Sequence, residues 1–78
     1  MATIPYREIL NNIVTRNRLQ ITYSVTQEGP DYAARWVGTY TLQGVGVIGS
    51  GSSTAKVDSK ELAAWQAVVW LDSRGYRA

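Results

Sequence analysis

The sequence predicts an α+β fold in the order α-β-β-β-α, a three-stranded antiparallel sheet with two helices packed on one face. Three patterns carry this expectation. Apolar residues near the N-terminus recur with a helical period, the middle of the chain alternates with period two, and a late segment rich in Ala and Val runs without Pro or Gly. With 78 residues there is room for a single domain spanning 1–78, so both helices must share one sheet to bury their apolar sides.

The first helix is expected from Pro5 to Arg16. Ile9, Leu10 and Ile13 follow the helical spacing, and Pro5 falls in the first turn, where its missing N–H costs nothing. Leu19, Ile21, Tyr23 and Val25 then alternate with Gln20, Thr22, Ser24 and Thr26, which is a strand with one buried face. Glu28-Gly29-Pro30-Asp31 is a turn cluster. Beyond it Trp36, Tyr40 and Leu42 share one parity of a second strand, and Val37, Thr39 and Thr41 the other. Gln43-Gly44 permits a tight turn into a third strand at Val45, Val47 and Ile48, while Gly49 to Thr54, with so little apolar content, reads as a loop. The last helix is expected from Lys56 to Arg74, with Ala63, Ala64, Ala67, Val68 and Leu71 at spacings of three and four.

Composition narrows function by exclusion. The chain has neither Cys nor His, which removes disulfides, thiolate metal sites, thiol nucleophiles, imidazole ligands and the Ser-His-Asp arrangement. Its six acids are scattered over different elements, so a non-catalytic protein with no cofactor, no metal and no small-molecule substrate is expected. Eight Lys and Arg against six Asp and Glu give a net charge of +2, too mild to name nucleic acid by itself. The longest apolar stretch, Leu62 to Leu71, is interrupted by Gln66 and falls short of the roughly 20 residues a bilayer span needs. Met-Ala-Thr-Ile-Pro lacks the basic and apolar regions of a signal peptide, so no membrane association and an intracellular setting are expected. Gly44 to Gly51 has the glycine density of a dinucleotide loop, yet no helix opens within it and no parallel βαβ unit surrounds it.

Several local strings join this order of elements. Ile9, Leu10 and Asn11 follow Pro5, the first strand ends in Glu28-Gly29-Pro30, and Trp36 starts the second strand. A Gly-rich stretch precedes the last helix, where Lys56 and Lys60 stand four apart ahead of Ala63-Ala64-x-x-Ala67-Val68-x-x-Leu71. In these features, over nearly its whole length, the chain resembles the double-stranded RNA-binding domain family.

The resemblance implies non-catalytic, sequence-independent binding of double-stranded RNA by shape across about 16 base pairs. Three contacts follow from it. A polar side chain of the first helix would meet a minor groove; spacing favours Asn11 and local identity favours Asn12. The loop of Pro30, Asp31 and Tyr32 would reach the next minor groove, with Tyr32 where the family commonly has His. Lys56 and Lys60 would bridge phosphates at the start of the last helix, with Val57 where the family has a third Lys. The window from Lys56 to Glu61 holds two Lys and two acids, so its charge sums to zero.

One pattern lies outside the resemblance. At 100° per residue, Leu62, Trp65 and Val69 fall opposite the alanine side of the last helix, beside Asp58, Glu61 and Asp72. An outward apolar stripe with an acidic rim fits a protein interface, to a partner or a homodimer, unless Gly75-Tyr76-Arg77-Ala78 folds back to cover Trp65. A diverged copy of the fold serving protein contact is therefore the alternative function. Arg16, Arg18, Arg74 and Arg77 form a second basic group, of the kind that favours helix C-termini.

Overall fold

The computed structural model describes residues 5–77, and the expected order of elements is present in it. Helix α1 (Tyr6–Arg16) leads into β1 (Ile21–Glu28), a single 3₁₀ turn (Asp31–Ala33), β2 (Arg35–Leu42), β3 (Gly46–Ser53) and α2 (Lys56–Ser73). The strands form one antiparallel sheet in the order β1-β2-β3, with Tyr23 opposite Tyr40 and Tyr40 opposite Gly49. Helix α2 lies across β2 and β3, and α1 packs beside α2. Leu10 and Ile13 of α1 join Tyr40, Leu42, Ile48 and Leu71 in one buried cluster. The other face of the sheet carries Thr22, Ser24, Ser50 and Ser52, all exposed. Among the described residues no helix is long and apolar enough to cross a membrane.

One expected segment is different. Gly49 to Ser53 is not a loop but the second half of β3, paired residue by residue with β2 from Trp36 to Tyr40. Its low apolar content has a packing cause. Gly49 and Gly51 sit beneath α2, whose Ser59, Ala63 and Ala67 are fully buried at intervals of four residues. A methyl carbon placed on Gly49 would lie 2.6 Å from the Ala67 amide nitrogen, and one on Gly51 would lie 2.7 Å from that of Ala63. The helix backbone fills the space that apolar side chains fill elsewhere, so the strand needs glycine where a hydrophobic pattern would announce it. Gly38, opposite Gly51 on β2, extends the patch; a methyl there would meet the Tyr23 hydroxyl oxygen at 2.7 Å and the Ser59 carbonyl oxygen at 3.3 Å. The Ser59 hydroxyl, buried within this contact, is satisfied by donating to the Lys56 carbonyl at 2.7 Å.

The remaining boundaries follow from local geometry. Val45, expected in β3, lies instead in the turn, where its amide donates to the Leu42 carbonyl at 3.0 Å. A bulge follows: Tyr40 pairs with Gly49 and Thr41 with Val47, leaving Ile48 as the extra residue, buried beside Gly49. Leu19 precedes β1 because α1 ends through Arg18, whose φ of 54° lets the Leu19 amide return to the Val14 carbonyl at 2.9 Å. Trp70 of α2 is partly buried, and the Arg74 guanidinium lies 4.9 Å from the centre of its ring.

Substituting Gly49→Ala should destabilise the fold by at least about 1–3 kcal/mol, because the added methyl collides with backbone and not with a movable side-chain tip. Ser50→Ala, one residue on and facing solvent, should stay within about 0.5 kcal/mol of wild type. Urea unfolding of both variants checks the contact, and equal midpoints would refute it.

Candidate nucleic-acid interface

Lys56 is the first residue of α2 and Lys60 lies one turn on, so both project from the same side of the helix start. That side overhangs β1 and β2. The Lys56 amine lies 5.1 Å from the centre of the Trp36 ring and the Lys60 amine 4.8 Å from that of Tyr23. Each cation is therefore held over an aromatic face, an electrostatic attraction that leaves its N–H donors free for a further partner. Tyr23 in turn packs against Tyr40, with ring centroids 4.9 Å apart and planes tilted by 47°.

Beyond Lys60 a cleft of about 470 Å³ opens between α1, α2 and the sheet. Its polar lining comes from Arg7, Glu8 and Asn11 of α1, Tyr40 of β2, and Lys60 and Glu61 of α2. Arg7 Nε donates to Glu61 Oε1 at 2.5 Å, while Glu61 Oε2 is buried without a hydrogen-bond partner among the described residues. Burial raises the pKa of the Tyr40 phenol above its ordinary 10.0; Tyr23 and the Glu61 carboxylate push the same way, and Arg7 opposes them.

At the other end, Pro30 leads into the 3₁₀ turn, closed by the Ala33 amide on the Pro30 carbonyl at 2.9 Å. Gln27 donates to the Asp31 carboxylate at 2.8 Å, so Asp31 is tied back to β1 as part of the turn. Tyr32 is 92% exposed and does not pack under the loop. A shallow depression lined by Asp31, Tyr32, Arg35 and Trp36 joins this loop to the ring that carries Lys56.

These placements bring most of the candidate residues onto one side of the domain. Pro30, Asp31 and Tyr32 lead through Trp36 to Lys56, and Lys60 leads into the cleft with Asn11. Asn12 is exposed but does not line that cleft. Two cations absent from the sequence reading flank these residues. Arg7 reaches the cleft only because α1 packs beside α2, where it is paired with Glu61, while Arg35 donates to the Ser52 hydroxyl at 3.4 Å on the face of the sheet away from α2; neither has a spacing signal in the chain. The neutral window from Lys56 to Glu61 is also resolved in space. Glu61 is paired with Arg7, and Asp58, two residues or about 200° past Lys56, points to the other side of α2.

Set against known proteins, the chain matches no family model and no curated protein.

The raised Tyr40 pKa means that folding favours the protonated phenol, so its contribution is intact below pH 10 and is lost as the pH rises through the higher folded value. The melting temperature should therefore fall above pH 10, and Tyr40→Phe should flatten that fall. Parallel alkaline profiles for the two proteins would show that another group is responsible.

Proposed function

We propose that this domain binds double-stranded RNA by shape, without catalysis and without reading sequence, in the manner of the family it resembles. The observation that carries the proposal is the continuous surface from Tyr32 through Lys56 and Lys60 to Asn11, which joins the three expected contacts along one side.

Each part has a chemical role on an A-form duplex, whose shallow minor groove displays 2′-hydroxyls. The Asn11 amide both donates and accepts, so it can pair with a hydroxyl and a base edge together. The Tyr32 phenol offers one donor and one acceptor to the next minor groove, with Pro30 fixing the approach of the loop. Lys56 and Lys60 span the phosphates between, aided by the free N–H groups at the start of α2. Arg7 offsets the charge of Glu61 in the cleft, and the tether of Asp31 to Gln27 keeps the Asp31 carboxylate engaged within the protein.

Amide shifts on titration with a duplex RNA should cluster in α1, the loop at Gly29 to Tyr32 and the start of α2, while a DNA duplex of the same length should have little effect. Equal responses, or shifts confined to the arginines at the helix ends, would overturn the proposal. Lys56→Ala with Lys60→Ala should weaken binding and lower the slope of log affinity against log salt by about two. The exposed Val57→Lys should raise affinity and add about one to that slope. An unchanged affinity for Val57→Lys would show that position 57 does not face a phosphate.

A further inference from the structure

Helix α2 is apolar on two sides. One is the ridge of Ser59, Ala63 and Ala67 pressed on the sheet; the other carries Leu62, Trp65 and Val69, which are 41%, 41% and 53% exposed. The Trp65 ring meets Tyr6 at a centroid distance of 6.3 Å, so the exposed patch continues onto the first turn of α1. The C-terminal residues do not cover it. Gly75, with φ of 88°, turns the chain so that the Tyr76 amide returns to the Leu71 carbonyl at 3.0 Å. Asn17 of the α1 end then donates to the Arg77 carbonyl at 3.1 Å, holding the tail at the far end of the helices. Tyr76 becomes one wall of a groove of about 380 Å³ floored by Ile9, Ile13 and Val68, which opens onto Val69. Ala78 lies outside the described residues.

The charges around this patch select its partner. Asp58 and Asp72 stand seven residues before and after Trp65, on the same side of α2, about 21 Å apart along the axis. A second copy docked antiparallel about Trp65 would set Asp58 of each copy against Asp72 of the other, and a parallel pair would set each acid against itself. In either pairing acid meets acid, which disfavours a second copy, and the exposed Arg77–Asp72 pair offsets that repulsion only in part. A cation is drawn to the patch instead: Arg77 of the chain's own tail already meets the Asp72 carboxylate at 3.3 Å.

We propose that this face docks an amphipathic helix of another protein, with an apolar stripe for Leu62, Trp65 and Val69 and Lys or Arg at both ends for Asp58 and Asp72. The mode is a helix laid against an apolar surface, with Trp65 as the central anchor and the charged ends setting register. It lies on the opposite side of α2 from Lys56 and Lys60, so the RNA and the helix occupy different surfaces.

The probe is a synthetic helix of about 18 residues with Leu at i, i+3 and i+7 and two Lys about 14 residues apart on that face, beside a second peptide with Glu replacing both Lys. The Lys peptide should bind roughly tenfold more tightly than the Glu peptide and shift the amides of Leu62, Trp65 and Val69. Asp58→Lys with Asp72→Lys, both exposed sites, should invert the preference, and Trp65→Glu should abolish binding while the domain stays folded. Lys56→Ala with Lys60→Ala should leave peptide binding unchanged, which separates this surface from the RNA reading. No binding, equal binding of the two peptides, or binding that survives Trp65→Glu would overturn the proposal. So would sedimentation of the wild type as a dimer dissociated by Trp65→Glu, which would assign the face to a second copy.

Discussion

The close approach of α2 to the sheet is the constraint on which the rest of the molecule depends. Helix backbone comes against the strands where Ala63 and Ala67 cross Gly49 and Gly51, and at Gly38 the space beside Ser59 is filled by the Tyr23 ring. A helix seated so low gains dense contact over small groups and places its other side chains predictably. The N-terminal turn is brought over Trp36 and Tyr23, where Lys56 and Lys60 find their aromatic faces. The outer side faces away from the sheet, which leaves Leu62, Trp65 and Val69 about half exposed, with Trp65 beside Tyr6. Tyr23 shows the same economy from the sheet, since its ring reaches diagonally across to cover Gly38.

Charge is organised by the same arrangement. Along the chain, the start of α2 alternates Lys and acid and sums to nothing. Around the helix the acids divide: Glu61 turns toward α1 and is held by Arg7, while Asp58 faces away. The two lysines are left beside aromatic rings, and their shared side of the domain has a different character from the outer face of the same helix. One helix can thus present a cationic surface and an acid-rimmed apolar one without the two interfering.

Much of the fold was legible in the residues. The Ile9, Leu10 and Ile13 spacing marks α1, the alternation from Ile21 to Val25 marks β1, and the alanine series marks α2 with its buried side correct at Ala63, Ala64, Ala67 and Leu71. The second half of β3 was not legible, because a strand that packs against helix backbone carries glycine and serine in place of the apolar residues that periodicity detects. The exposure of Leu62, Trp65 and Val69 followed from the helical wheel, but the path of Gly75 to Arg77 did not; it depends on where Asn17 stands, sixty residues earlier. In the same way, that Asn11 and not Asn12 lines a cleft is visible only with α1 and α2 side by side. Arg7 and Arg35 illustrate the general reason: a contact made by packing between distant elements leaves no spacing in the chain.

The glycine patch also bears on the order in which the molecule can assemble. The second half of β3 gains little from its own side chains, since Gly49, Gly51, Ser50 and Ser52 offer almost no apolar area until α2 covers them. The helix that covers the sheet follows the strands in the chain, so during synthesis the strands emerge before the surface that holds them exists. Contacts between the earliest and latest segments, Arg7 with Glu61 and Asn17 with Arg77, place the same demand on the chain. Folding is thereby coupled to completion of α2, and a ribosome-tethered chain stopped before Ala67 holds the parts of the sheet without the means to keep them together.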